Sequence, residues 1–153
     1  MILILDLDGV LITTPPWKPD DTCDDGYSAF NDTCVENLNR LLTHENFDIW
    51  LSSSRRRTKT LDEFNAIFAN RNVKKPISGF IPECADCQNR KDEIVTFLQE
   101  LNTDHVLIID DDSSLNDLPA AYKRRLVLTE AMKGFDKQKL VLAKAITDQL
   151  KTK

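Results

Sequence analysis

Residues Met1 to Pro16 read MILILDLDGVLITTPP, and this opening decides the fold. The apolar run from Ile2 to Leu7 carries Asp6 inside it and stops at Asp8 and Gly9. A short run of large aliphatic residues bounded by Asp-Gly predicts a strand buried on both faces, as in a parallel sheet. Two carboxylates at such a strand end need an explanation. Like charges a few ångströms apart raise one another's pKa unless a cation lies between them.

The pattern recurs in HVLIIDDD, where the run Val106 to Ile109 stops at Asp110, Asp111 and Asp112. Further strands are predicted at Phe47 to Ser52, Ile77 to Ile81 and Arg125 to Thr129. Between them the apolar spacing is helical. Val35, Leu38, Leu41 and Leu42 mark a helix from Thr33 to Thr43 with Asp32 as its N-cap. Thr60 and Glu63 form a capping-box pattern ahead of Leu61, Phe64, Ile67 and Phe68. Ile94, Phe97, Leu98 and Leu101 define a third helix starting near Lys91, and a last one from Asp136 to Leu150 should bury Leu140, Val141, Ala145 and Ile146. This alternation predicts an α/β chain: a Rossmann-like three-layer sandwich around a mainly parallel five-stranded sheet. The segment from Thr13 to Asn31, with Pro15, Pro16, Pro19 and Gly26, reads as a loop.

A chain of 153 residues supports one core, so a single domain over residues 1–153 is expected. The formal net charge of −5 disfavours long-range attraction to nucleic acid, which leaves the local basic run Arg55 to Lys59, RRRTK, as the one candidate contact. The apolar runs are strand-sized, and Asp6 and Asp8 interrupt the stretch a signal peptide would need. A cytoplasmic protein without membrane contact is therefore expected, with Cys23, Cys34, Cys84 and Cys87 read as thiols or metal ligands in preference to disulfides. Four thiolates could also close a zinc site between two loops. No Gly-x-x-x-x-Gly-Lys loop or Gly-x-Ser-x-Gly elbow occurs, which removes the P-loop and serine-hydrolase readings. His44 and His105, at a helix end and before a strand, read as local structural residues.

In an open parallel sheet, ligands bind at the carboxyl ends of the strands. Asp6 and Asp8, Ser52, and Asp110 and Asp111 should therefore converge there, and a hard cation such as Mg²⁺ would reconcile the carboxylates. With these residues in view, the chain resembles the haloacid dehalogenase-like (HAD) phosphohydrolases. ILILDLDGVL matches their opening motif, DIWLSS the second, NRKDEI the lysine motif and VLIIDDD the acidic fourth, in the family's order.

The resemblance implies a role for each matching residue. Asp6 would be the nucleophile that becomes an aspartyl-phosphate, and Asp8 the general acid. Ser52 would bind the phosphoryl oxygens, and Lys91 would neutralise charge on nucleophile and phosphate. Mg²⁺ would be held by Asp6, the backbone carbonyl of Asp8, and Asp110 with Asp111 beside it. Read from residue type and position instead, Gly9 allows close backbone approach, and Ser53, Arg55 and Arg56, with Arg57 in the same run, are expected to add phosphate and substrate contacts, the alternative for the arginines being a solvated helix start. Only about forty residues separate the first motif from the second, and a similar number the second from the third, so no large cap domain is expected. WLSSSR also resembles the second motif of HAD domains associated with RNA-repair proteins, which turns the substrate expectation toward phosphate ends of nucleic acids or nucleotides. The alternatives are a phosphatase of a small phosphometabolite and a non-catalytic phosphate-binding module. Asp6 and Asp8 are both present, which favours the enzyme.

Overall fold

A computed structural model describes residues 1–152. Five parallel strands, β1 (Ile2–Leu5), β2 (Asp48–Leu51), β3 (Ile77–Phe80), β4 (Val106–Asp110) and β5 (Leu126–Leu128), form one sheet in the order β3-β2-β1-β4-β5. The first strand is shorter than its apolar run because the chain turns at once, the amides of Val10, Leu11 and Ile12 all reaching the Leu7 carbonyl.

The strands are apolar on both faces because helices cover both. Leu3, Leu5, Ile49, Leu51, Leu107 and Ile109 pack under α1 (Asp32–His44), α2 (Leu61–Asn70) and α5 (Lys137–Lys151). Ile4, Val106 and Ile108 face the other way, onto α3 (Arg90–Glu100) and the turn of Leu115 and Leu118 before α4 (Ala120–Lys123). Among the described residues, the expected three-layer α/β sandwich with five parallel strands and no large cap domain is the observed one.

Local signals set most helix starts. Thr60 and Glu63 make the capping box in both directions. Helix α1 begins one residue earlier than its spacing predicts, because Asn31 supplies the N-cap by accepting from the Cys34 amide. Helix α5 is rotated relative to the expected stripe. Leu140, Ala143, Ile146, Thr147 and Leu150 are buried while Val141 and Ala145 are exposed. Among the described residues, no helix is long and apolar enough to cross a membrane.

Candidate active site

The register of the three central strands brings their carboxyl ends level. Leu5 lies beside Leu51 and Ile109, so the next residues, Asp6, Ser52 and Asp110, emerge together. Backbone bonds from Asp6 to the Ile109 carbonyl and from Ser52 to the Leu5 carbonyl fix these positions. Asp6, Ser52 and Asp110 are all buried. The Ser52 hydroxyl donates to Asp110 Oδ2 at 3.2 Å.

Oxygens of Asp6, Asp110 and Asp111 lie within 4.8 Å of one another, the one such group of potential metal ligands among the described residues. Burial, followed by the neighbouring Asp110 charge, pushes the Asp6 carboxyl well above the usual carboxylate range. Burial is also the main cause that raises Asp111. Concentrated, partly desolvated oxygen donors of one charge suit a hard divalent cation such as Mg²⁺. Of the three consecutive acids, Asp112 stands apart, capping the short turn Ser113–Asp117 by accepting from the Ser114 amide.

Gly9 makes room for this cluster. Its φ is +77°, a left-handed conformation natural to glycine, and a Cβ there would lie 2.0 Å from Asp111 Oδ2. The Thr129 hydroxyl, just beyond β5, donates to the Gly9 carbonyl at 2.6 Å and holds the turn in place.

The cation at the carboxylates is Arg90, a residue the sequence reading did not select. Its Nη1 lies 2.7 Å from Asp110 Oδ2 and 3.4 Å from Asp6 Oδ1, and these charges together hold the guanidinium firmly protonated despite its burial. Lys91 is not brought there. Its amide donates to Ser114 Oγ, and the residue lines a groove with Cys84, Cys87, Asp92 and Thr96. Asn89 caps α3, so Arg90 is the first helical residue and Lys91 is turned about 100° from it.

Consecutive arginines after β2 divide in the same way. Arg55 grips Asp8 with both arms of its fork, Nε to Oδ2 at 2.8 Å and Nη2 to Oδ1 at 2.9 Å. It also binds Asp20 and Ser28 from the long loop after β1, which ties that loop to the exposed Asp8. Arg56 turns inward. It donates to the carbonyls of Ile81, Ser52 and Ser53 and pairs with Glu93. It is thus a buried strut under the loop that follows β2, its donors taken up by protein partners. Ser53 is buried and caps the short turn Ser54–Arg57, accepting from the Arg55 amide. Arg57 is half exposed and paired with Glu83.

The four cysteines do not form a zinc site. Cys84 and Cys87 are joined as a disulfide with Cα atoms 5.2 Å apart, which also corrects the expectation of thiols there. Cys34 is buried on α1 beneath Gly134, its thiol pushed up by burial, and Cys23 is a separate, partly exposed thiol in the first loop.

No curated protein matches the chain at a significant level. The family described as the HAD domain in Swiss Army Knife RNA repair proteins matches residues 2–140, a span that takes in all four motifs and all five strands. The carboxylate cluster at the ends of β1 and β4 and this match together place the chain in the HAD family, among the HAD domains of that RNA-repair group.

Proposed function

We propose that the protein is a Mg²⁺-dependent phosphomonoesterase that acts through an aspartyl-phosphate on Asp6 and takes phosphate ends of nucleic acids as substrates. HAD membership supports phosphatase-type hydrolysis in general. The observation that carries the finer reading is the buried trio Asp6, Asp110 and Asp111 with Arg90 against it, at the open carboxyl edge of the sheet. The family's occurrence in RNA-repair proteins and the lack of a cap over the edge support a macromolecular phosphate.

In this reading a carboxylate oxygen of Asp6 bonds to phosphorus as the bond from phosphorus to the leaving oxygen breaks. Asp8 delivers a proton to that oxygen and then takes one from the water that cleaves the aspartyl-phosphate. The Arg55 fork aims Asp8 from the rim, which makes Arg55 a positioning residue. Ser52 Oγ donates to a phosphoryl oxygen, and Arg90 neutralises the nucleophile and the incoming dianion, the role the lysine motif would assign to Lys91. Mg²⁺ would be held by Asp6, Asp110, Asp111 and the Asp8 carbonyl, and would mask the charge that otherwise repels a carboxylate from a phosphate.

The test is phosphate release from an aryl phosphate and from 5′- and 3′-phosphorylated oligonucleotides, with and without Mg²⁺. Asp6→Asn should abolish turnover in a folded protein. Asp8→Asn should slow release of a poor leaving group about 10²–10⁴-fold. Wild-type rates from Asp6→Asn would refute the mechanism.

A further inference from the structure

We propose that Trp17 is a stacking platform for a nucleobase next to the phosphate being removed, so that the loop after β1 selects a nucleic-acid end over a phosphate without bases. This rests on the phosphatase reading of the site.

Trp17 is 72% exposed, the largest solvent-facing apolar side chain among the described residues. Pro15, Pro16 and Pro19 flank it in the sequence, and a turn from the Pro15 carbonyl to the Lys18 amide, 3.0 Å, shapes the tip. Each proline removes backbone freedom in advance, so little entropy is lost when a flat ligand settles on the ring. A tryptophan held in water by a stiffened loop contributes nothing to the core.

The loop is anchored to the reaction centre on the far side of that tip. Asp20 accepts from Ser28 at 2.6 Å and from Arg55 at 3.0 Å, and the same Arg55 holds Asp8. Trp17 is three residues from Asp20, a backbone distance of at most about 11 Å. The loop that carries Trp17 is thus tethered to the Arg55–Asp8 pair at the rim of the site, where the bases that follow a phosphate bound at Asp6 would pass. Lys18 beside Trp17 is exposed and offers a cation to the next backbone phosphate. Every base has a π-face, so stacking of this kind tolerates sequence and suits an enzyme that must accept any end.

The chain has two tryptophans, and they can be told apart. Trp50 is packed on Phe97, with ring centroids 5.3 Å apart, and lies over Gly79. Emission from an exposed indole therefore reports Trp17 once Trp50 is replaced. The experiment titrates Asp6→Asn/Trp50→Phe protein with three probes: a phosphorylated oligonucleotide, one with abasic sites next to the phosphate, and a mononucleotide. Saturable quenching by the first and not the second is expected, with weaker quenching by the mononucleotide. In the active protein, Trp17→Ala should lower the ratio of oligonucleotide to aryl phosphate efficiency about 5- to 150-fold, equivalent to about 1–3 kcal/mol of stacking. Equal quenching by the abasic probe, or an unchanged ratio, overturns the platform while leaving the phosphatase reading intact. Equal quenching by the mononucleotide overturns selection of a strand end. If the wild type released no aryl phosphate, the phosphatase reading would fail instead, and the titration would still decide whether Trp17 binds a base.

Discussion

Truncating Arg56 separates a structural arginine from a substrate-binding one. Its side chain is 2% exposed and its donors serve three carbonyls and the Glu93 carboxylate, itself 13% exposed. Arg56→Ala would take a donor from all four acceptors and leave Glu93 only the longer contacts to Arg57 at 3.6 Å and Arg90 at 3.9 Å. Breaking a buried, hydrogen-bonded ion pair costs about 3–5 kcal/mol, because the remaining charge keeps its desolvation penalty. For a chain of this size each kcal/mol lowers Tm by about 2–4 °C, so a drop of roughly 6–20 °C is expected in a thermal scan. Activity should fall on every substrate alike, since the strut fixes the carbonyls of Ser52 and Ser53. Arg56→Met with Glu93→Leu should recover much of the stability, as both members of the pair are gone. A Tm within about 2 °C of wild type, with loss confined to oligonucleotides, would refute the structural assignment and return Arg56 to the phosphate-binding set.

Two further outcomes follow from the geometry. Arg90→Ala should cut kcat/KM on an aryl phosphate at least about 10²-fold while Lys91→Ala stays within a few fold, and steady-state kinetics showing the reverse order would restore the lysine assignment. Asp25 is held down to about 2 by the fork of buried Arg71, so its contribution is present above its ordinary value of 3.8 and is lost as pH falls toward about 2. Asp25→Asn should flatten urea midpoints measured across that interval, and an unaltered slope would show that the pair does not couple to folding.

The fold was legible because its signals are local. Strands buried on both faces appear as short aliphatic runs, and the carboxylates that end β1 and β4 mark which edge holds the site. Asp6, Ser52, Asp110 and Asp111 were legible for the same reason: each lies where a run stops. What the sequence hid was rotation about a helix axis. Arg90 and Lys91 are neighbours, as are Arg55 and Arg56, and one step around a helical turn decides which turns toward the aspartates of the first and fourth motifs and which turns away from them. The Asn89 cap was the available signal for Arg90, since it fixes the first helical residue. Helix α5 shows the same ambiguity: from Leu140, stripes through Val141 or through Ala143 both fit a helical period, and only packing against the sheet chooses. The cysteines depended on loop geometry, which residue types alone do not determine.

The proposed mechanism requires that Asp6 becomes phosphorylated. Its most direct test is rapid acid quenching of the Asp8→Asn protein during turnover, followed by borohydride reduction and peptide mass spectrometry. An acyl phosphate on Asp6 should be reduced to homoserine at that position alone, in the presence of Mg²⁺ and substrate. Phosphate release with no reducible adduct at Asp6 would rule out the aspartyl-phosphate and point to direct attack by water.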